Sequence, residues 1–426
     1  MTASRRYREV HLPPAEDPLA LMVRLARSGL FDPYVVYEGL DEWSFAGGAL
    51  VSVRLDAGAR SLSVVEQRLA DLTVEGWRAY GWAAFELGAA LAGCDPDTGT
   101  DLLHLMVPCD EVRAGRHGVL VRSVRAEGLD RLVSLVTAGG ESASEPAERI
   151  GLAVADMGNY RAAVATALVD LHNGSPLQKL ILSRRLPVPV PVDLPATYAA
   201  GRRANTPARS FLLSLGGIRA AGFSPETVAE VTGDGRVTTR PLAGTRARTG
   251  SVADNARLRA DLLSDPKEIH EHAISVKLAV EDLAAVCDDT CVSEYMTVQD
   301  RGTVQHLAST VMGRLREGCG PWQAFAALFP AVTATGVPKA AAYPLIRALE
   351  GGPRGLYAGA VLVCDADGTL DAALVLRSIF QRDGSCWLQA GAGVVQQSRP
   401  EREHEETCEK LRSIADHLVP DTPQAP

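Results

Sequence analysis

Five short β-forming runs follow one another at 177–190, 209–215, 218–223, 226–231 and 236–240, and the string TGDG turns the last two into a hairpin. Two long helical stretches interrupt this pattern, one at about 253–287 and one at about 399–418. Between them come more strands, in 355–380, where DADGT makes a turn, and in 386–395. Strands that arrive in runs, with helices set between the runs, specify an α+β fold rather than a regular β-α alternation. With 426 residues, 46% hydrophobic and 22% charged, the chain has ample material for a large core.

The charge balance narrows the partners. Lys and Arg number 43 against 52 Asp and Glu, and the net charge of -9 disfavours nucleic acid or an anionic membrane as the main partner. An anionic small molecule could still bind a local cluster of cations. The basic start MTASRRYREV has no apolar segment behind it, and runs such as LYAGAVLVC are far shorter than a bilayer span, so a cytoplasmic protein is expected. Eight cysteines without a Cys-x-x-Cys pair argue against a zinc site or a disulfide framework.

Residues 1–150 read as short strands and helices without a chemical signature, and EGWRAYGWAAFELGAALAG (75–93) reads as a core helix. The small, polar and acidic stretch 138–150 suits a surface connection, which places a boundary near 150. Beyond it lie the region expected to carry the chemistry, 151–420, and a tail at 421–426 expected to be disordered. A helix over 157–173 should end at HNGSP, where Asn173 and Gly174 tolerate the left-handed conformation and Pro176 blocks continuation.

LQKLILSRRL (177–186) sets Lys179 in an otherwise apolar strand-like run. Such a strand rarely takes an ammonium without a partner or a task, although Lys179 could simply face solvent or meet a carboxylate. In DPKEIHEH, Asp265 fits an N-cap, Pro266 the first helical position, and Glu268 the far end of a capping box. Glu271 falls on the same helix face as Glu268, which gives either two carboxylates for one ligand or a solvated acidic face. The HEH string lacks the spacing of a zinc helix.

The C-terminal helix repeats the arrangement. Ser398 and Glu401 suit a second capping box around Pro400, and Glu403, Glu406 and Lys410 form one stripe. Facing each other, the two helices would make a hard-oxygen site suited to Mg²⁺; apart, each is an ordinary charged face. RPLAGTRARTG (240–250) and QAGAGVV (389–395) read as small-residue strings between strands, either plain turns or backbone N–H donors for a carboxylate. Tyr357 and Arg377 flank DADGT, and an inward-pointing arginine there could clamp a carboxylate.

Taken together, QKLILSR, FSPETV, PLAGTRARTG, LLSDPKEIHEHAISV, TVQHLAST, LFPAVTATGVPKAAA, PRGLYAGAV, DAALVLRS and AGAGVVQQSRPEREHEETCEKL resemble the chorismate-utilising enzymes, in unbroken order over roughly 157–418. The family comprises anthranilate, aminodeoxychorismate, isochorismate and salicylate synthases. The resemblance implies two large, mostly antiparallel β-sheets packed as a sandwich with surrounding helices, and residues 1–150 look like the more variable N-terminal part. It also implies chorismate and Mg²⁺ in a cleft. By position, Glu271 and Glu406 look like metal ligands, with Glu268 and Glu403 completing the shell. Tyr357, Arg377, the Gly391-Ala392-Gly393 backbone and Lys410 look like the holders of the substrate carboxylates. Gly244 and Thr245 match the substrate-binding turn, and His306 matches a histidine near the ring, counted by the resemblance among the catalytic residues.

In the ammonia-using members the position of Lys179 is typically glutamine, whereas water-adding members carry lysine. Lys179 therefore looks like the base that activates water for attack at C2, and this would need burial to lower its pKa. Glu226 looks like the acid that protonates the departing C4 hydroxyl, helped by an apolar neighbourhood. Ala243 stands where aminodeoxychorismate synthases often carry a nucleophilic lysine, and the chain shows no nucleophile-elbow cysteine of a glutaminase. Thr333 within FPAVTATGVPKAAA, with VQHLAST and PEREHEETCEKL, most resembles the bifunctional members that carry isochorismate on to salicylate by losing pyruvate, commonly for siderophores. The expectation is a monomer that needs no glutaminase subunit, with an isochorismate synthase that stops short of pyruvate loss as the alternative.

Overall fold

The computed structural model describes residues 6–96, 98–138, 148–154, 158–301 and 304–421. Most of the connection placed at 138–150, and all but the first residue of the 421–426 tail, lie outside the described residues. Nineteen strands join in one hydrogen-bonded network, and its ladders are antiparallel throughout. The network divides at the strand Leu103–Gly115. One edge of that strand pairs with Glu42–Leu55, while the other gives Leu103–Met106 to Arg78–Ala83 and Asp110–Gly115 to Gly118–Ser123.

From this joint one arm runs through Tyr34–Glu38, Arg209–Leu215, Ile218–Ser224, Ser378–Arg382 and Ser385–Val394 to Lys179–Pro187. The other runs through Arg78–Ala83, Ala360–Asp365, Leu370–Leu374, Thr227–Val231 and Arg236–Thr239 to Val304–Leu315. Side chains alternate across each strand, and this sorts the core into two. Val35, Tyr37, Phe211 and Leu213 share one cluster with Leu362 and Ala372 of the second arm, so the arms pack face to face. Val36, Phe45 and Leu212 point the other way, against Leu25, Tyr198 and Ile414 from helices Pro18–Arg27, Leu194–Ala204 and Pro400–Ala415. Each fully buried side chain of this size contributes about 1.5–3 kcal/mol. The result is the expected α+β sandwich, with both sheets drawn from one continuous network.

Two sequence expectations need correction. Residues 75–93 are not one helix: Arg78–Ala83 is a strand wedged between two others, and only Glu86–Leu91 is helical. Gly81 packs so tightly there that a Cβ would come within 1.9 Å of the His104 carbonyl oxygen. Sheet pairing overrides the helix propensity of an alanine-rich segment. The stretch 253–287 is likewise two helices, Val252–Ser264 and Pro266–Ala284, broken at Asp265. Asp265 caps the second, its Oδ1 accepting from the N–H groups of Lys267 at 2.9 Å and Glu268 at 3.4 Å.

Candidate active site

A cavity, about 800 Å³ when the solvent at its mouth is counted, opens where the helices Pro266–Ala284 and Pro400–Ala415 meet the end of the first arm. Its floor is the ladder of Ser385–Val394 on Lys179–Pro187, with Gly391 opposite Ser183 and Gly393 opposite Ile181. The strings 240–250 and 389–395 are thus not turns: Leu242–Ala247 and Ser385–Val394 are strands. Ser378–Arg382 leaves Ser385–Val394 at Gln389, so the edge beyond that residue is open toward the cavity. Gly391 uses this edge, its carbonyl accepting from Lys410 Nζ at 2.9 Å. By antiparallel alternation Gly393 shares that edge while Ala392 turns its backbone groups to Leu182, which removes Ala392 N–H from the expected donor set.

Lys179 is wholly buried. Its Nζ lies 3.0 Å from Glu271 Oε1 and donates to Ser275 Oγ at 3.0 Å. Glu271 lines the cavity and Lys179 does not, so the lysine reaches the space through its carboxylate partner. Glu226 also lines the cavity; burial pushes its carboxyl up to about 8, although the Thr333 hydroxyl donates to Oε1 at 2.7 Å and Lys179 and Lys410 pull the other way. A buried carboxyl pushed up to about 8 thus stands on the cavity wall, with an ion-paired lysine behind the neighbouring Glu271.

The carboxylates of the two helices do converge. Glu271 and Glu406 face the cavity, and Glu268 and Glu403 sit behind them. Lys267 Nζ lies among them, 3.3 Å from Glu403 Oε1, 3.6 Å from Glu268 Oε1 and 3.7 Å from Glu271 Oε2. Burial and the neighbouring Glu406 raise the Glu403 carboxyl against the pull of Lys267 and the Ser398 hydroxyl, and neither of its buried oxygens has a donor in hydrogen-bond geometry among the described residues. Burial would raise Glu406 as well, but Lys410, at 2.8 Å, and Lys267 outweigh it and hold Glu406 low. Among the described residues no three acidic, histidine or cysteine groups are drawn into ligand geometry. Four crowded carboxylates, two of their oxygens undonated, nevertheless suit a hard divalent cation.

Neither capping box forms. Glu268 Oε2 accepts from Thr245 N–H at 3.1 Å, and its Oε1 pairs with Arg246 at 3.1 Å. Arg399 occupies the N-cap position of Pro400–Ala415 without a side-chain capping bond, and the Ser398 hydroxyl donates to Gly393 O and accepts from Val395 N–H. Tertiary partners have replaced the local ones in both cases.

The opposite wall is cationic. Arg377, buried and in the left-handed region at φ 49°, makes no ion pair among the described residues. Burial and nearby Arg301 lower its guanidinium to about 10, so an anion there would relieve an uncompensated charge. Arg377 Nη2 donates to His306 Nε2 at 2.6 Å. Arginine only donates, so Nε2 accepts and the His306 proton sits on Nδ1, 3.0 Å from Thr245 Oγ1. Burial and Arg377 hold His306 well below its usual range, so this residue is a neutral positioning group. Tyr357 lines the same wall, and Gly244, at φ +88°, lets the chain pass Glu268, whose Oε2 would lie 3.2 Å from a Cβ.

The chorismate binding enzyme family model matches residues 35–416. The chain belongs to that family. It is 42% identical to a salicylate synthase of Mycolicibacterium paratuberculosis across 96% of this chain and 95% of that one. A Methanothermobacter thermautotrophicus anthranilate synthase component 1 is 41% identical over 52% of this chain and 48% of its own length. Among solved structures, a putative 2,3-dihydroxybenzoate-specific isochorismate synthase from Bacillus anthracis superposes with TM-score 0.75 at 22% identity, covering 94% of this chain and 99% of that one. Anthranilate synthase component I from Streptococcus pneumoniae gives 0.75 at 24% identity, over 88% and 92%.

Sequence reasoning grouped Glu226, Glu271, Glu406, Tyr357 and Arg377, and these line one cavity, while Lys179, Glu268 and Glu403, named with them, lie behind its wall. It missed Lys267 and Arg246, which neutralise the carboxylates from behind. The i, i+4 spacing of Lys267 to Glu271 was a usable signal. Arg246 carried none, because its partners Asp261, Asp265 and Glu268 lie on other elements.

Proposed function

We propose that this enzyme converts chorismate to isochorismate and then to salicylate and pyruvate, in a Mg²⁺-dependent reaction. The observation that carries the reading is one cavity walled by buried Glu226, its carboxyl pushed up to about 8, and by Glu271 with buried Lys179 paired behind it, in a chain 42% identical to a salicylate synthase over nearly its whole length. Water adds at C2 as the C4 hydroxyl departs as water, so the first step leaves the composition of the substrate unchanged.

Glu226, neutral at pH 7, gives its proton to the leaving C4 oxygen while Thr333 fixes Oε1. Lys179, acting as the neutral amine, takes a proton from the attacking water and becomes the ammonium that Glu271 pairs with, while Ser275 holds Nζ in place. Arg377 and Tyr357 bind substrate carboxylate on the far wall, with His306 and Thr245 orienting the guanidinium. Glu271 and Glu406, with Glu268 and Glu403 behind them, would hold Mg²⁺, which would supply positive charge to balance an anionic substrate. Pyruvate loss would then need a folded pose of isochorismate more than a new acid or base.

Product analysis with chorismate and Mg²⁺ tests this reading. Salicylate and pyruvate in equal amounts, abolished by EDTA, are expected; isochorismate without pyruvate would remove the second step, and no turnover would overturn the reading.

A further inference from the structure

Outside the cavity, Arg354 is a heavily engaged buried side chain, at 2% exposure, in the loop after the helix Lys339–Glu350. It does not line the cavity. Its Nη1 donates to Ala334 O at 2.7 Å and its Nη2 to Ile181 O at 2.8 Å. Glu350 orients the group, accepting from Nε at 2.9 Å and Nη2 at 2.6 Å, and also takes Ser183 N–H at 2.6 Å. Glu86 fixes its backbone, accepting Arg354 N–H at 2.6 Å and Gly355 N–H at 3.0 Å, and the Phe85 ring packs 4.4 Å from the guanidinium.

The two carbonyls that Arg354 joins are the informative part. The strand pair Gly336–Val337 on Lys179–Leu180 continues one bond further, from Ile181 N–H to Thr335 O at 2.9 Å. In a regular ladder Thr335 N–H would return the bond to Ile181 O. Here Thr335 N–H instead turns back to Val332 O at 3.4 Å, closing the 3-10 turn Val332–Ala334. The guanidinium takes the missing rung. It ties the strand that carries Lys179 to the turn that carries Thr333 at the point where the two diverge.

We infer that Arg354 is a positioning residue for the water-addition step, setting the placement of Thr333, and through it of Glu226, against the Lys179 strand. This rests on the function proposed above. The groups around Glu226 are the Thr333 hydroxyl, Leu242 N–H and the ammonium groups of Lys179 and Lys410. Of these, only the Thr333 contact depends on the turn that Arg354 holds. Lysine at 354 can keep the charge but cannot span two carbonyls and a carboxylate at once.

The test is a pH–rate profile of chorismate turnover for wild type, Arg354→Lys, Thr333→Val and the double variant, with thermal unfolding alongside. Arg354→Lys should lower kcat on the order of tenfold or more with a smaller change in KM. It should also move the alkaline limb upward by roughly half a unit to one unit, because a donor to the Glu226 carboxylate is lost. Thr333→Val should give the same shift, and the double variant no more than either single one. Glu350→Gln, which keeps the shape but loosens Arg354, should shift the limb in the same direction by less, and serves if Arg354→Lys does not fold. An unmoved limb, or shifts that add in the double variant, overturns the positioning role alone. A wild type without chorismate turnover or without an alkaline limb overturns the function on which it rests.

Discussion

Replacing Gly393 by alanine isolates the carboxylate site from the backbone that supports it. Gly393 is not in the left-handed region, so alanine brings no backbone strain. Its Cβ would, however, stand 2.1 Å from Glu271 Oε1 and 2.8 Å from Cδ. A normal carbon–oxygen contact begins at about 3.3 Å, so the carboxylate must retreat by about 1.2 Å. It cannot do so and keep both Lys179 at 3.0 Å and its place on the cavity wall. Removing one partner of a buried ion pair costs about 3–5 kcal/mol, and a displaced carboxylate loses only part of that, so the fold should survive. Misplacement by about 1 Å at reacting groups costs on the order of 10²-fold in rate. Gly393→Ala should therefore show a modest fall in Tm, weaker Mg²⁺ binding by calorimetry and turnover down about 10²-fold. Gly352→Ala, with nothing within 4 Å of its Cβ, is the control. Wild-type turnover and metal affinity in Gly393→Ala would refute the assignment of Glu271 to the metal and to Lys179.

Further expectations follow from the same geometry. Lys179→Gln should leave the protein folded and nearly abolish chorismate turnover, and a rate within tenfold of wild type would remove its role as base. Glu226→Gln should block chorismate consumption yet spare much of the conversion of supplied isochorismate to salicylate, read by fluorescence; equal loss of both steps would contradict its assignment to hydroxyl departure. Glu226 works protonated, so turnover should fall as pH rises through about 8. Its pKa is raised on folding, so its contribution to stability is full below the ordinary 4.5 and declines between there and about 8, which urea titrations across that window would detect. Mg²⁺ should raise Tm and EDTA reverse it, because the cation relieves the crowding that raises Glu403; an unchanged Tm at millimolar Mg²⁺ would count against the site.

Much of this was legible in the chain because its strands are short and sharply bounded. The runs 209–215 and 226–231 emerge as Arg209–Leu215 and Thr227–Val231, and the Asp265-Pro266 start of a helix stands as read. Local signals failed where partners came from elsewhere. Glu268 obeyed the spacing of a capping box, but Thr245 N–H and Arg246 offered it buried partners that the helix end could not match. Gly391 and Gly393 suggested a turn because glycine is common there; the structure uses their small size to let Tyr357 and Glu271 approach a strand. Arg354 was invisible as a functional residue, since its task depends on two carbonyls brought together only by the fold.

The shared strand network has a consequence for how the enzyme comes into being. Tyr34–Glu38 pairs with Arg209–Leu215, and Arg78–Ala83 with Ala360–Asp365, so early segments wait for partners synthesised much later. Contacts this distant in sequence make for slow folding and prolonged exposure of unpaired edges. Two fragments divided near residue 150 would each carry open strands in search of the other. The cavity shares this dependence: Ile181 and Glu226 come from the middle of the chain and Glu406 and Lys410 from the helix Pro400–Ala415, so the reaction centre exists only once segments as far apart as Ile181 and Lys410 have met.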